Sequence, residues 1–373
     1  MRICLFTPNF PPAVGGTEMV SDELARQFCN KGHLVVVLAQ GEPRALDLHY
    51  PVRWFGKPVL PRVFPQRVGK ALAALHRAQP FDLFLCNCAQ PTGYAALRLG
   101  RRVGVPTVIV SHGGDWYRES ADGNRPHLSK RTVYAYRHAD GLIAISHFVE
   151  GLIRQINPQP ARLELIPNGI DAAALTEPST RPADFELSRP FALCLGNPGP
   201  IKGFGDAIAA YAGARDQLDD LAMVIVASGE PEASLRTQVA AAGLDADVLF
   251  AGRRTGNDKR WFLQNCRFGL IGPIEQGHPI VGLEFLAVGK PVVCSTNAAF
   301  DGLYDGGVNS LRVPAGDREA LAGAIAAMSH GDLTAMGAES RRRGDHYTWP
   351  AIADRYLAFL GRVLSESGSS PRQ

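Results

Sequence analysis

The feature that most limits the fold of this 373-residue chain is a repeated alternation of short apolar runs with helical segments. Runs such as Leu34–Ala39 are apolar and β-branched throughout, which is typical of strands buried on both faces of a parallel sheet. Stretches with helical apolar periodicity separate them, such as Thr17–Lys31, in which Thr17 is the candidate N-cap. This alternation predicts α/β architecture with doubly wound parallel sheets.

The alternation occurs twice, which predicts two domains, in agreement with roughly 100–200 residues per domain. The break lies near residues 168–190, which are rich in Pro, Ala and Thr and lack a long apolar run. We predict an N-terminal Rossmann-like domain at 1–170, a linker at 171–188, a C-terminal Rossmann-like domain at 189–345 and a terminal segment at 346–373. Two such sheets facing each other would frame a central cleft at the carboxyl ends of their strands. The expected strands are Arg2–Thr7, Leu34–Ala39, Leu83–Cys86, Thr107–Ser111, Gly141–Ile145, Phe191–Leu195, Ala222–Ala227, Val248–Ala251, Phe268–Ile271 and Pro291–Cys294, with helices at Phe204–Ala214 and Leu283–Val288.

Composition narrows the class of protein. Apolar residues make up 46% and charged residues 20%, which is ordinary for a globular chain. The seven cysteines show no zinc or disulfide spacing, so we expect no metal site and a reducing compartment. No run of about 18 apolar residues and no signal-peptide pattern occurs, so we expect a cytoplasmic protein.

Charge is unevenly distributed along the chain. Residues 1–180 hold 20 Lys/Arg and 14 Asp/Glu, a formal charge of +6, whereas the rest holds 19 and 22, giving −3. Between Pro61 and Gln79, basic residues alternate with apolar ones in a pattern typical of a helix on an anionic membrane surface. The same pattern fits an ordinary surface helix packed on the sheet. Peripheral contact with the inner face of the membrane is therefore one of two interpretations.

Three loops at predicted strand ends carry candidate functional residues. Gly15 and Gly16 open the first helix and leave free amides at its N-terminus, where anions such as phosphate bind. His112 follows a buried strand and precedes two glycines, a position from which it can donate to oxygen. Lys202 lies in the Gly196–Gly203 loop before a helix, where its charge and the helix dipole both favour a diphosphate. A tight turn, a structural histidine and a solvated lysine are the alternative interpretations.

The segment from Glu275 to Val293 is the most informative in the chain. It passes from a loop into a helix and then through a glycine turn to a strand. A carboxylate such as Glu284 accepts hydrogen bonds only, which suits paired contacts to ribose hydroxyls. The backbone amides and side chains of the preceding loop can hydrogen-bond to sugar hydroxyls.

In these motifs and their order the chain resembles the retaining glycosyltransferases of the GT-B fold, in glycosyltransferase family four. The resemblance covers nearly the whole chain, from the Gly15-Gly16 loop and His112 through Ile166-Pro-Asn-Gly-Ile-Asp171, Lys202-Gly203, Ser228-Gly-Glu-Pro231 and Phe250-Ala-Gly252 to Glu284-Phe-Leu-Ala-x-Gly-Lys-Pro-Val. It implies that 346–373 contains a helix crossing back to the N-terminal domain, and the polar composition from Ser365 onward predicts a flexible tail after it. It also implies that His112, Lys202 and Glu284 are catalytic, with His112 on the donor sugar, Lys202 on the diphosphate and Glu284 on the ribose. The donor-binding residues that it implies are Gly15, Gly16, Asn197, Arg253, Arg254, Glu275, Gln276, Gly277, His278, Val281, Gly282 and Glu284.

Three residues depart from the family pattern. Asn197 stands where the family has an arginine, five residues before the lysine. Gln276 stands eight residues before Glu284, where the family has its first glutamate, and Glu275 lies one place earlier. Pro279 replaces a glycine and has no backbone N–H to donate.

The resemblance implies transfer of a sugar with retention and without a metal or cofactor, from a UDP- or GDP-sugar to a glycan or lipid-linked acceptor, in cell-surface polysaccharide or glycoconjugate synthesis. Two alternatives remain open at the level of sequence. One is an epimerase or hydrolase on the same fold. The other is a protein that binds nucleotide sugars without transferring them, which the three departures would fit. Neither alternative nor the main interpretation involves nucleic acid. A dinucleotide oxidoreductase is disfavoured because no G-x-G-x-x-G stands at the first βα turn.

Overall fold

The computed structural model describes residues 1–11, 16–42, 46–56, 64–114, 117–118, 125–126, 128–196, 202–227, 231–272 and 280–368. These residues divide into two compact units. Unit 1 comprises Met1–Gly169 and Trp349–Gln373, and unit 2 comprises Ile170–Thr348. Each unit is built around its own parallel sheet.

Unit 1 holds a seven-stranded sheet in the order β3-β2-β1-β4-β5-β8-β9, in which every neighbouring pair is parallel. Its strands are β1 (Arg2–Thr7), β2 (Leu34–Gln40), β3 (Val52–Phe55), β4 (Leu83–Cys86), β5 (Thr107–Ser111), β8 (Gly141–Ala144) and β9 (Leu163–Leu165); β6 (Tyr117–Arg118) and β7 (Arg125–Pro126) form a separate antiparallel pair. The helices are α1 (Gly16–Asn30), α2 (Phe64–Ala78), α3 (Tyr94–Val103), α4 (Lys130–His138), α5 (His147–Ile156) and the C-terminal α13 (Trp349–Glu366).

The first sheet is buried on both faces. Val35 to Ala39 are each at most 3% exposed, which explains why β2 is apolar without alternation. In register, Cys4 of β1 pairs with Val36 of β2 and Phe84 of β4. Because crossovers between parallel strands are right-handed, α2 to α5 lie on one face and α1 on the other. The helix contacts agree, since α2, α3, α4 and α5 are successive neighbours and α1 contacts α13.

The C-terminal helix α13 packs within unit 1. The ring centroids of Phe28 and Tyr356 are 6.2 Å apart, and Lys31 Nζ lies 2.7 Å from Asp354 Oδ1. A Cβ added at Gly141 would lie 3.0 Å from Phe359, so α13 lies directly against β8. Residues 369–373 of the expected flexible tail lie outside the described residues.

Unit 2 holds a six-stranded parallel sheet in the order β12-β11-β10-β13-β14-β15. Its strands are β10 (Phe191–Leu195), β11 (Ala222–Val226), β12 (Val248–Phe250), β13 (Phe268–Ile271), β14 (Val292–Ser295) and β15 (Ser310–Val313). Its helices are α6 (Ala172–Thr176), α7 (Phe204–Ala214), α8 (Pro231–Ala241), α9 (Gly256–Asn265), α10 (Ile280–Ala287), α11 (Arg318–His330) and α12 (Thr334–Gly344). Two apolar clusters form the core.

The expected linker at 171–188 belongs to unit 2 instead. It contains α6, which Asp171 caps by accepting from the backbone N–H of Ala174. Phe185 is 7% exposed and packs in the core at a ring-centroid distance of 4.8 Å from Phe262. The segment lacks a long apolar run because one aromatic side chain and a cap fix it to the domain. Within the described residues, no helix is long and apolar enough to cross a membrane.

Candidate functional site

Polar side chains gather where the central strands of the first sheet end. The strand order reverses between β1 and β4, and doubly wound sheets bind ligands beyond the carboxyl ends at such a point. His112 follows β5, and its Nε2 lies 3.1 Å from Asn87 Oδ1, just after β4. Asn87 Nδ2 donates to Ser21 Oγ in α1, and Ser21 Oγ donates to Thr7 Oγ1 at 3.2 Å, at the end of β1. This chain of contacts joins three strand ends and one helix.

The hydrogen bonds fix the protonation of His112. Because the Asn87 amide nitrogen donates to Ser21, its oxygen faces the ring, and an amide oxygen only accepts. Nε2 of His112 therefore carries the proton, and Nδ1 of the neutral ring is an acceptor. Burial lowers the pKa of His112 from its usual 6.5 to about 4, so the ring is neutral at physiological pH. The side chain can hydrogen-bond a hydroxyl but brings no charge.

The N-terminus of α1 lies at the same edge of the sheet. Gly16 is the first residue of α1 and is exposed, whereas Gly15 lies outside the described residues. The expectation that Thr17 caps α1 is wrong, because the helix already includes Gly16 and the Thr17 hydroxyl donates to Glu18 Oε2 at 2.9 Å. The capping pattern misled because the glycine before Thr17 takes helical geometry.

In unit 2 the corresponding reversal of strand order lies between β10 and β13. Lys202 and Gly203 lie there, with Gly203 in the left-handed region (φ 72°) as the N-cap of α7. A Cβ at Gly203 would lie 2.1 Å from the carbonyl oxygen of Gly272, which follows β13. Only glycine permits this approach, and it places Lys202 beside the N-terminus of α7. Lys202 is partly buried, and desolvation lowers its pKa.

Glu284 is a charged residue within an otherwise apolar helix. In α10 its neighbours Leu283 and Phe285 are fully buried, and Glu284 itself is 7% exposed. Lys259 Nζ in α9 lies 2.6 Å from Glu284 Oε1. The second oxygen, Oε2, is buried and has no hydrogen-bond partner among the described residues. A buried carboxylate oxygen without a partner is costly, so Oε2 is a candidate acceptor for a ligand hydroxyl.

The first turn of α10 is held against neighbouring elements. The Tyr304 hydroxyl donates to the carbonyl oxygen of Gly282 at 2.6 Å. A Cβ at Gly196, after β10, would lie 3.8 Å from Val281, so this turn lies beside the end of the central strand. Val281, Gly282 and Glu284 are therefore placed at the carboxyl edge of the second sheet.

The two arginines after β12 differ. Arg253 is exposed. Arg254 makes two hydrogen bonds to Asp184, at 2.7 and 2.9 Å, and one to Asp258 at 3.3 Å. The Arg254 side chain is thus engaged within unit 2, whereas the exposed Arg253 side chain and the backbone of this turn remain for a ligand.

Several predicted donor residues lie outside the described residues, namely Gly15, Asn197, Glu275, Gln276, Gly277 and His278, as does Pro279, which departs from the family pattern. In the parts of the chain that the structure describes, no group of three His, Cys, Asp or Glu is placed to hold a metal ion. All seven cysteines are free thiols.

Two residues of the site were missed by the sequence analysis. Asn87 carries the same signal as His112, a polar residue directly after a buried strand, and could have been found. Lys259 carries none, because it stands in a helix and its partner is 25 residues away in sequence.

Comparison with known proteins gives the family. The model of the family described as Glycosyltransferase Family 4 matches residues 14–174, and that described as Glycosyl transferases group 1 matches residues 189–330. A phosphatidyl-myo-inositol mannosyltransferase of Mycobacterium leprae is 33% identical over 215 residues, 55% of this chain and 54% of that protein. That match thus spans about half the length of the relative.

Two further proteins match over nearly their whole length. A GDP-mannose-dependent alpha-mannosyltransferase of Mycobacterium tuberculosis is 27% identical over 97% of both chains. The structure of the Anabaena protein HepE, solved with UDP, superposes with a TM-score of 0.78 at 20% identity, covering 97% of this chain and 100% of that one. Together with the two parallel sheets, these matches show that the chain belongs to the family 4 glycosyltransferases of the GT-B fold.

Proposed function

We propose that the protein transfers a sugar, with retention of anomeric configuration, from a nucleotide-diphosphate sugar held by unit 2 to a glycan or lipid-linked acceptor of the cell envelope. The observation that carries the donor assignment is Glu284, a buried carboxylate with one oxygen fixed by Lys259 and the other without a partner among the described residues. Such an acceptor suits a ribose hydroxyl pair. Membership of the family supports the retaining reaction.

The diphosphate would lie at the turn before α7. The backbone N–H groups of a helix N-terminus and the dipole of its 11 residues attract anions, and Lys202 adds a charge beside them. Charge that develops on the leaving diphosphate would meet groups already in position, which lowers the barrier more than groups that must reorganise. In this proposal Lys202 takes the place of a metal ion.

The proposed transfer is a front-face substitution. The bond between C1 of the sugar and the phosphate oxygen breaks, and the acceptor hydroxyl oxygen forms the new bond to C1 on the same face. The acceptor proton passes to the leaving phosphate oxygen, so the reaction needs no protein nucleophile. His112 would hydrogen-bond a sugar hydroxyl as a neutral ring, because its pKa of about 4 keeps it uncharged.

The named activities of the relatives order the donors to be tested. The mycobacterial relatives are named as mannosyltransferases and one as GDP-mannose-dependent, whereas the Anabaena structure contains UDP. GDP-mannose and UDP-sugars are therefore the first candidates. The phosphatidyl-myo-inositol named for one relative makes a lipid acceptor a reasonable first choice.

A thermal-shift screen against GDP-, UDP- and ADP-sugars tests the proposal. A donor at 100 times its dissociation constant should stabilise the fold by about 2.7 kcal/mol. Incubation of that donor with lipid extracts, followed by NMR of the product, then reports transfer and anomeric configuration. Donor binding without transfer would favour a nucleotide-sugar-binding protein, and release of free or epimerised sugar would favour a hydrolase or epimerase. Inverted product would disprove retention.

A further inference from the structure

A directional chain of hydrogen bonds runs through unit 1 and ends on His112. It begins at the backbone carbonyl oxygen of Thr17, which accepts from Ser21 Oγ at 2.8 Å. A carbonyl oxygen can only accept, so the single hydroxyl proton of Ser21 is directed there and, at 3.2 Å, toward Thr7 Oγ1. The lone pairs of Ser21 Oγ therefore face Asn87, whose Nδ2 donates to them.

Thr7 keeps the same direction. Its hydroxyl donates to the backbone carbonyl oxygen of Asn9 at 2.7 Å and accepts from the backbone N–H of Asn9 at 3.3 Å. The Thr7 proton is thus committed to a second carbonyl, and toward Ser21 the hydroxyl acts as an acceptor. The orientation of the Asn87 amide is therefore set by two backbone carbonyls and does not depend on the histidine.

The chain lies in surroundings that are otherwise apolar. Ser21 is fully buried on the face of α1 that also buries Val20 and Leu24, and Asn87 is 4% exposed. Removing these polar groups from water costs free energy that apolar side chains at the same positions would not. A fully paired polar network in turn rigidifies the groups that it contains, so the chain fixes the orientation of the Asn87 amide.

The free end of the chain is the second ring nitrogen of His112. The Asn87 oxygen accepts from Nε2, so the proton of the neutral ring is there and Nδ1 presents a lone pair. The His112 side chain is partly exposed, and no residue that the structure describes forms a hydrogen bond to Nδ1. The opposite tautomer would set Nε2 and the Asn87 oxygen against each other as two acceptors. The chain therefore keeps Nδ1 an acceptor.

We propose that Ser21 and Asn87 are positioning residues that hold His112 as a hydrogen-bond acceptor, and that the site thereby selects a donor sugar with a hydroxyl group facing Nδ1. This inference rests on the proposed function, in which His112 contacts the donor sugar. A hydroxyl donates its proton to Nδ1, whereas a carboxylate offers only lone pairs that repel the lone pair of the nitrogen. Sites built to pair a substrate hydroxyl also reject analogues that lack it.

The first test uses the full chain without ligand. NMR of nitrogen-labelled histidine rings reports which nitrogen carries the proton, and the signal lost in His112→Gln assigns the ring. We expect the Nε2–H form alone in the wild type. Ser21→Ala should give a mixture of both tautomers, because the Asn87 amide can then turn over, and Asn87→Leu should do the same because it removes the acceptor.

Two further variants separate positioning from packing. Ser21→Thr keeps a hydroxyl that can donate to a carbonyl one helical turn earlier, so it should restore the single tautomer. Ser111→Ala is the control, since the Ser111 hydroxyl is also fully buried in unit 1 but accepts from Tyr136 at 2.9 Å, outside the chain. It should leave the tautomer unchanged. The Nδ1–H form in the wild type, or the wild-type tautomer in both Ser21→Ala and Asn87→Leu, would overturn the proposal.

The second test measures the direction of the contact with the sugar. Calorimetry compares GDP-mannose and UDP-glucose with analogues in which one sugar hydroxyl at a time is replaced by hydrogen or by fluorine, which cannot donate a proton. His112→Ala identifies the contacted hydroxyl, because its replacement no longer changes affinity in that variant. At this position the wild type should bind the deoxy and the fluoro analogue about equally, both roughly three- to tenfold more weakly than the parent sugar.

Ser21→Ala should lose most of this discrimination while its affinity for GDP or UDP alone stays that of the wild type. A fluoro analogue that binds better than the deoxy analogue at the identified position would reveal a donating ring and overturn the proposal. Donor binding with no such position would overturn it as well. If neither nucleotide sugar binds although the ligand-free chain shows the Nε2–H form, the proposed function fails, and the positioning of His112 by Ser21 and Asn87 stands.

Discussion

The Nζ atom of Lys259 lies 2.6 Å from Oε1 of Glu284, which joins α9 to α10 through a carboxylate that is only 7% exposed. The lysine occupies one oxygen and holds the carboxylate so that the other can accept from a ligand. Lys259 is the less buried partner, with 29% of its side chain exposed. The two residues should therefore differ in what their loss changes.

Glu284→Gln should weaken donor binding about tenfold to hundredfold. The amide keeps the size of the side chain but removes the charge, and a hydrogen bond to a charged group contributes roughly 1.5–3 kcal/mol. Isothermal titration calorimetry with the donor and with the free nucleotide measures this. If both affinities were unchanged, Glu284 would be a structural partner of Lys259 only.

Lys259→Met should lower the free energy of unfolding more than Glu284→Gln does, because it leaves a buried carboxylate without its cation. The double variant should recover part of that stability, but it should not recover donor affinity. Lys290→Met is the control, since Lys290 is partly buried and forms no ion pair among the described residues. Strict additivity of the two single changes in denaturant unfolding would contradict coupling across the pair.

Lys202 should set an alkaline limit to donor affinity. Burial lowers its pKa below the usual 10.5, so the ammonium loses its proton at lower pH than an exposed lysine. If Lys202 holds the diphosphate, as proposed, the charged form binds it, and the dissociation constant of the donor should rise as pH increases through that pKa. Lys202→Arg should move this limit upward because a guanidinium stays charged.

Lys202→Ala should abolish transfer in a folded protein, and wild-type turnover in that variant would disprove the assignment.

Gly203→Ala should destabilise unit 2 and abolish donor binding. Two unfavourable effects add. The φ of Gly203 is 72°, a left-handed conformation that alanine adopts only with strain, and the new Cβ would lie 2.1 Å from the carbonyl oxygen of Gly272. Gly243→Ala separates them, because Gly243 has φ 63° with no atom within 4 Å of such a Cβ. The control should lose only about 1–2 kcal/mol for left-handed backbone. Equal losses in thermal denaturation would show that the close approach to Gly272 relaxes easily.

The strands show how much of the fold could be predicted from the sequence. A buried parallel strand is apolar along its whole length, so β1, β4, β5, β10 and β13 were predicted with their observed bounds. β3, β9 and β15 were missed because they are short edge or near-edge strands with polar residues. Helix α10 begins three residues before its predicted start, since no cap precedes Ile280 in the pattern.

The site also has a part that the sequence predicts and a part that it does not. His112 and Lys202 were predicted to lie at the carboxyl edges of the sheets, because all strand ends of a parallel sheet meet at one edge, and the structure places them there. The contacts within the site were not predicted, since Asn87 and Lys259 depend on which helices lie side by side. The spacing of residues in the sequence does not reveal a pair that only tertiary packing brings together.

His112 should influence stability at acidic pH and not near neutrality. Its pKa in the folded chain is about 4, against 6.5 in the unfolded chain, so between these values only the unfolded chain takes up the proton. The free energy of unfolding should therefore fall as pH decreases from about 6.5 to 4, and His112→Gln should remove that part of the dependence. Asn87→Asp should raise the pKa of His112, because a carboxylate beside Nε2 favours the charged ring. NMR titration of the imidazole resolves this, with exposed His138 as internal reference; an unchanged His112 pKa would contradict the contact.

The resemblance implies that the loop before α10, which lies outside the described residues, contacts the donor sugar. If it keeps the family register, Gln276 contacts the donor sugar, so Gln276→Ala should lose activity and Glu275→Ala should lose little. We favour this register because Gly277 then falls on the family glycine and the spacing to Glu284 needs no insertion. Gln276 and Asn197 replace one anion and one cation of the family pattern, so the local charge balance is roughly kept. This favours a site that is catalytically active. Both single variants are assayed with the true donor. The reverse pattern would assign the role to Glu275, and full activity in both would exclude the loop from sugar recognition.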